Sequence, residues 1–171
     1  IARPQRDTWY TIPTDWSGAL SAHDILEPEW LDSRRANSLP KPYHADATFG
    51  SAYQLMRSRY RHDGVPLLLE TAYLEAELHR RFTPEGVRKT PILKLLDAVP
   101  RLRILRAEQI IYIGTSDSET SAALVIPLNA PIAVVRRTVC GEGRTILFAS
   151  EGFYRGDLVR EYFLNYQEAI T

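Results

Sequence analysis

Between Ala52 and Leu74 the chain reads AYQLMRSRYRHDGVPLLLETAYL, two runs of strand-forming residues on either side of Asp63-Gly64. A two-residue primed turn needs positive φ at both central positions, which Asp-Gly tolerates, so a β-hairpin is expected here. Setting His62 opposite Val65 places Arg59 against Leu68 and Arg57 against Glu70. Alternation then puts Arg57, Arg59, Leu68 and Glu70 on one face, a register that a three-residue loop would flip. Two arginines and a carboxylate on such a face form either a solvated ion pair, worth little, or the polar end of a pocket. Arg61 shares the face but lies at the turn, where exposure and no role in binding are expected.

The periods elsewhere predict an α+β chain. Residues 1–45 hold Trp9, Trp16 and Trp30 with no sustained period. They are expected to be a lead-in segment, with a short helix over Asp24 to Arg35 and tryptophans covering a sheet edge. Residues 46–171 form the domain proper. Glu75 to Phe82 suits a short helix or turn. Thr90-Pro91 reads as N-cap and first helical position, followed by Ile92, Leu95, Leu96 and Val99 at helical spacing, with Pro100 as the stop. Arg103 to Gly114 predicts a strand with Leu105, Ala107, Ile111 and Ile113 on one side and Arg106, Glu108 and Tyr112 on the other. Ser116 to Leu124 predicts a helix capped by Ser116 or Asp117, with Glu119 in its first turn. Ile132 to Cys140 and Thr145 to Tyr154 are strands around the Gly141-Glu142-Gly143 turn, and Tyr162, Phe163 and Tyr166 belong to a last strand or short helix. This order implies a mostly antiparallel sheet with helices segregated from it.

Composition narrows the function classes. The 171 residues suit one domain, and 21 basic against 21 acidic residues give no surplus for nucleic acid. One cysteine, Cys140, excludes an internal disulfide framework. No apolar run reaches membrane-spanning length and IARPQRDTWY lacks an h-region, so the cytoplasm and no membrane partner are expected. His23, His44, His62 and His79 are scattered, and neither a metal site nor a cofactor fingerprint is present. Glu70 and Glu151 alone define no acid/base pair, and Cys140 has no convincing histidine partner. What remains is an anion site: Arg57 and Arg59 can fork onto a phosphate or carboxylate, and the Thr90-Pro91 helix start offers a hydroxyl and free N–H groups.

Arg57 to Leu74, RSRYRHDGVPLLLETAYL, resembles the R-x-R-x-x-x-D-G-x-P-x-x-x-E-x-x-Y-L signature of the UTRA domain, the effector-binding domain of HutC-subfamily GntR transcription regulators. In order, Thr90-Pro91-Ile92-Leu93, Glu119 to Leu124 with Pro127 to Pro131, Val135-Arg136-Arg137, and Phe153-Tyr154-Arg155-Gly156-Asp157 resemble its later motifs, covering about residues 50 to 165. The resemblance implies a chorismate-lyase-like fold, a homodimer, and operator DNA bound only through an N-terminal winged helix-turn-helix absent from these 171 residues. It implies that Arg57, Arg59 and Thr90 hold an anionic effector such as a sugar phosphate, amino acid or other organic acid. Glu70 would accept hydrogen bonds from it, and Tyr154, with Glu151 beside it, would close the pocket. Two positions depart from the pattern. Phe148 stands where relatives often carry an acidic residue, which hints at a more apolar effector. Asn129 replaces a glycine, which asparagine's access to positive φ permits. A chorismate-lyase-like enzyme and a ligand-free dimerisation module are the competing readings.

Overall fold

The computed structural model describes residues 9–40 and 47–161. The expectations for His44 and for Tyr162, Phe163 and Tyr166 lie outside them. Six antiparallel strands form the main sheet in the order β2-β3-β4-β7-β6-β5. They are β2 (Glu27–Ala36), β3 (Tyr53–His62), β4 (Val65–Glu75), β5 (Arg106–Thr115), β6 (Pro131–Cys140) and β7 (Ile146–Arg155). Two short strands, β1 (Tyr10–Thr11) and β8 (Val159–Arg160), pair in parallel. The helices are α1 (Trp16–Ser21), α2 (Ala76–His79), α3 (Pro84–Lys89), α4 (Ile92–Asp97) and α5 (Ser118–Leu124). The α+β, mostly antiparallel architecture expected from the sequence is the one observed.

The β3–β4 hairpin turns at Asp63 (φ 50°) and Gly64 (φ 75°), as its primed turn requires. Its register departs from the expected one. His62 pairs with Val65 and Arg61 with Pro66, but Tyr60 pairs with Leu68, leaving Leu67 as a β-bulge. Beyond the bulge Ser58 faces Glu70, while Arg59 faces Leu69 and Arg57 faces Thr71. Arg57 and Arg59 therefore lie on the sheet face opposite Glu70. The extra residue lets both Leu67 and Leu68 become fully buried. A regular hairpin would instead turn two arginines toward that core, at a large desolvation cost.

Three further expectations are corrected. Residues 27–36 form an edge strand rather than a helix, paired along β3 from Glu27–Arg61 to Ala36–Tyr53. Pairing overrides local propensity there, and Pro28 is tolerated because β2 lies at the edge. Thr90 is the C-cap of α3, not an N-cap; Pro91 precedes α4 and no side chain caps that helix. The buried positions of α4 are Leu93 and Leu96, with Ile92 and Leu95 only half-buried. Asp117, in contrast, caps α5 through the Thr120 N–H (2.8 Å), and Asn129 adopts positive φ (61°), both as expected.

One face of the sheet is covered by α1, α3 and α4. It carries two apolar clusters, one around Met56, Leu74, Leu96, Val139 and Phe148 and one around Tyr10, Leu67, Leu68, Val135 and Tyr154. The helix α5 packs against β4 on the other face.

Candidate functional site

Between the two apolar clusters, each of the four central strands interrupts its buried row with one polar residue, and the edge strand β5 adds a fifth. Cross-strand pairing brings Ser58, Glu70, Ser150, Arg137 and Gln109 onto the same face, from β3, β4, β7, β6 and β5 in turn. Ser58, Glu70, Arg137 and Ser150 are all buried, Glu70 at 7% and Arg137 at 5% exposure. Two adjoining cavities lie over this band. The inner one, about 40 Å³, is lined by Ser58, Glu70, Arg137, His23, Trp30 and Phe148 among others. The outer one, about 140 Å³, lies beneath Trp16 and reaches Gln109 and Glu108; Ala19, Leu93 and Arg137 line both.

The roof is α1 and the loop after it. Asp15 caps α1 through the Gly18 N–H (2.6 Å), and the chain then delivers His23 over the sheet. Ion pairing of Lys94 with Asp24 (2.5 Å) and donation from Trp16 Nε1 to Asp97 (3.3 Å) fasten α1 to α4. The His23 ring stacks on Tyr60 (4.6 Å between centroids, 15° between planes), and its Nε2 points at Glu70 from 3.9 Å, too far for a hydrogen bond. Burial lowers the His23 pKa despite the Glu70 carboxylate, so the imidazole is neutral near pH 7. Burial raises the phenol of Tyr60, with Glu70 adding to it. Burial opposes the charge on Arg137, the Glu70 carboxylate beside it favours that charge, and the guanidinium stays protonated.

Arg137 Nε donates to Gln109 Oε1 (2.7 Å), and Gln109 Nε2 donates to the Pro13 carbonyl (2.7 Å), which ties the guanidinium to the segment leading into α1. Among the described residues, four buried polar atoms reach no hydrogen-bond partner: Arg137 Nη2, His23 Nε2, Ser150 Oγ and Tyr154 Oη. Such orphans are costly in a finished core. All four belong to side chains on or against the face that carries the polar band. A larger opening of about 330 Å³ at Leu105, Thr138 and Cys140 contains none of them.

Of the residues singled out from sequence, the structure brings only Glu70 and Tyr154 to this face. Tyr154 stands behind Arg137, stacked on Tyr10 (5.7 Å). Arg57 pairs with Glu119 of α5 (2.7 Å). Arg59 pairs with Glu29 (2.5 Å) and donates to the Ala123 carbonyl (3.2 Å). Both arginines clamp α5 and β2 to the opposite face. Glu151 is on that face too, paired with Arg136. Arg61 turns back to the Gly64 carbonyl at the hairpin tip (3.2 Å). Thr90 is not among the residues lining either cavity over the band. Sequence reasoning missed Arg137, His23, Ser58, Tyr60 and Ser150. The available signal was a single polar residue interrupting an apolar alternation in strand after strand, as in Val135-x-Arg137-x-Val139.

Among the described residues no cluster of three metal-ligating side chains exists, and no helix is long and apolar enough to cross a membrane. No curated protein sequence matches the chain. Solved structures share its fold at low identity. YydK of Bacillus subtilis, described as a possible transcriptional regulator, superposes with a TM-score of 0.72 at 11% identity, over 95% of this chain and 70% of that one. The effector domain of PhnF from Mycobacterium smegmatis gives 0.65 at 16%, over 92% and 99%. A GntR-family regulator of Enterococcus faecalis gives 0.65 at 16%, over 82% and 100%. The UTRA domain model matches residues 44–160, the hairpin and every strand from β3 to β8, and the chain belongs to the UTRA domain family.

Proposed function

We propose that this chain is the effector-sensing and dimerisation part of a HutC-type GntR regulator acting in the cytoplasm. A small molecule bearing an anionic group enters the paired cavities between α1, α4 and the sheet. The carrying observation is the polar band itself, a charged and hydrogen-bonding row, with orphaned buried atoms, facing empty volume. Arg137 holds the anion, a task its orphaned Nη2 suits and the paired Arg57 and Arg59 do not. The protein does no chemistry on the ligand. Binding shifts the arrangement of two protomers, and with it operator binding by winged helix domains outside these residues. The ligand can do so only to the extent of its differential affinity for the two arrangements.

Thermal-shift and calorimetric screening of organic acids, sugar phosphates and amino acids is the test. Ligands should be retained by Arg57→Ala and weakened at least about tenfold by Arg137→Lys, which keeps the charge and loses the fork. The opposite pattern sinks this placement of the anion. No ligand from any class would favour the pure dimerisation module, and turnover of chorismate at enzymatic rates would favour the lyase-like enzyme.

A further inference from the structure

We infer that the ligand of this site is a zwitterion of amino-acid size with an apolar body, its anionic group on Arg137 and its ammonium group on Glu70. The inference rests on the effector-site reading above and adds the ligand's net charge and the residue that reads its cation.

Two opposite, nearly fully buried charges line the inner cavity. Both face the cavity: Arg137 Nη2 has no hydrogen-bond partner, and Glu70, beside Arg137 and the Tyr60 hydroxyl, meets His23 only at 3.9 Å. His23 also brings an orphaned ring nitrogen to the same spot. A buried charge is tolerated only when paired and hydrogen-bonded. A lone anion on Arg137 would be repelled by the neighbouring Glu70 carboxylate, and a lone cation on Glu70 by the Arg137 guanidinium. A ligand carrying both groups meets each charge with its opposite, and the net charge of the inner cavity, one carboxylate and one guanidinium beside a neutral imidazole, stays at zero. The aromatic rings of Trp30 and Tyr60 flank the Glu70 end, an environment that also favours an ammonium group.

Size and shape set the rest. The outer cavity of about 140 Å³ is close to one that holds a benzene ring. Trp16, Ala19, Leu93, Ala107 and Val139 give it an apolar lining on one side, with Asp15, Glu108 and Gln109 on the other. Phe148 and Met56 continue that lining inward. A sugar phosphate, doubly anionic and polar all round, matches neither the charge nor the wall.

The experiment uses matched probes on the full chain: leucine, isopentylamine and isocaproate, and phenylalanine, phenethylamine and phenylpropionate, by calorimetry with thermal shift in support. At least one amino acid should bind, and both its amine and its acid should bind at least about tenfold more weakly, the penalty for leaving a buried partner unpaired. In Glu70→Gln, an isosteric change, the preference for the amino acid over its acid should collapse. An acid that binds as well as its amino acid, and is lost in Arg137→Lys, overturns the zwitterion while leaving the effector site standing. Failure of all six probes overturns it too; if the wider screen of acids and sugar phosphates also fails, the site itself falls.

Discussion

At the scale of single residues, His23 is constrained from more than one side. It is stacked on Tyr60, aimed at Glu70, and held neutral by burial. An unfolded histidine titrates near pH 6.5, and this one lies lower in the folded state. Below about pH 6.5 the unfolded chain therefore takes up a proton that the native chain refuses. Stability should fall as the pH drops from there toward the folded pKa, by up to about 1.4 kcal/mol per unit. Above pH 6.5 His23 contributes no slope. Denaturant melts of the protein and of His23→Phe, which keeps a ring on Tyr60, check this. A slope between pH 5 and 6.5 that persists unchanged in the variant would assign it elsewhere. Leu67 offers a second residue-scale test. Fully buried at the bulge, Leu67→Ala should cost about 2–5 kcal/mol, whereas Arg57→Ala, which removes a half-exposed ion pair, should cost at most about 1 kcal/mol.

Among the elements, what was legible in the sequence is what local chemistry decides. Asp63-Gly64 announced its turn because few other pairs accept two positive φ values. Asp117 announced the α5 cap, and the β-branched run from Ile132 announced β6. The register of β3 against β4 was not legible, because the bulge at Leu67 satisfies the packing of Tyr10, Leu26 and Tyr154 rather than any rule of the hairpin. That one residue moved Arg57 and Arg59 off the face that carries the polar band and put Ser58 and Tyr60 on it. For β2, the strand becomes visible only once β3 is there to pair with it. Thr90-Pro91 carried a helix-start signature, yet α3 ends on Thr90 and uses it as a C-cap. Glu70 was named through its motif, while Arg137, although it stands within the matched Val135-Arg136-Arg137 segment, was given no role. A pattern of residue types does not say which of two adjacent arginines points inward; the pleat does. Arg136 pairs outward with Glu151, and Arg137 is buried beside Glu70 and Tyr154.

For the molecule as a whole, the site's position determines how occupancy can be felt elsewhere. The sheet is one continuous ladder, and the two faces carry different attachments: α5 is clamped by Arg57 and Arg59, while α1 and the His23 loop roof the cavities over the polar band. Among the described residues, Gln109 of the main sheet donates to the Pro13 carbonyl just ahead of α1, and Tyr10 Oη of β1 donates to the Ala22 carbonyl (2.5 Å). No α1 residue is fully buried. Local opening of such an element costs less than global unfolding. A ligand held between Arg137 and Glu70 below, and Trp16, Ala19 and His23 above, ties the roof to the sheet and removes that opening. At a hundredfold excess over its dissociation constant it should add about 2.7 kcal/mol to global stability. Hydrogen exchange should slow most across residues 16–26 and 92–97, with residues 118–124 of α5 unchanged. Equal protection on both faces, or protection centred on α5, would place the ligand on the side of the sheet where Arg57 and Arg59 stand. Protection confined to the roof would identify α1, next to the chain's N-terminal strand, as the element through which occupancy is passed on.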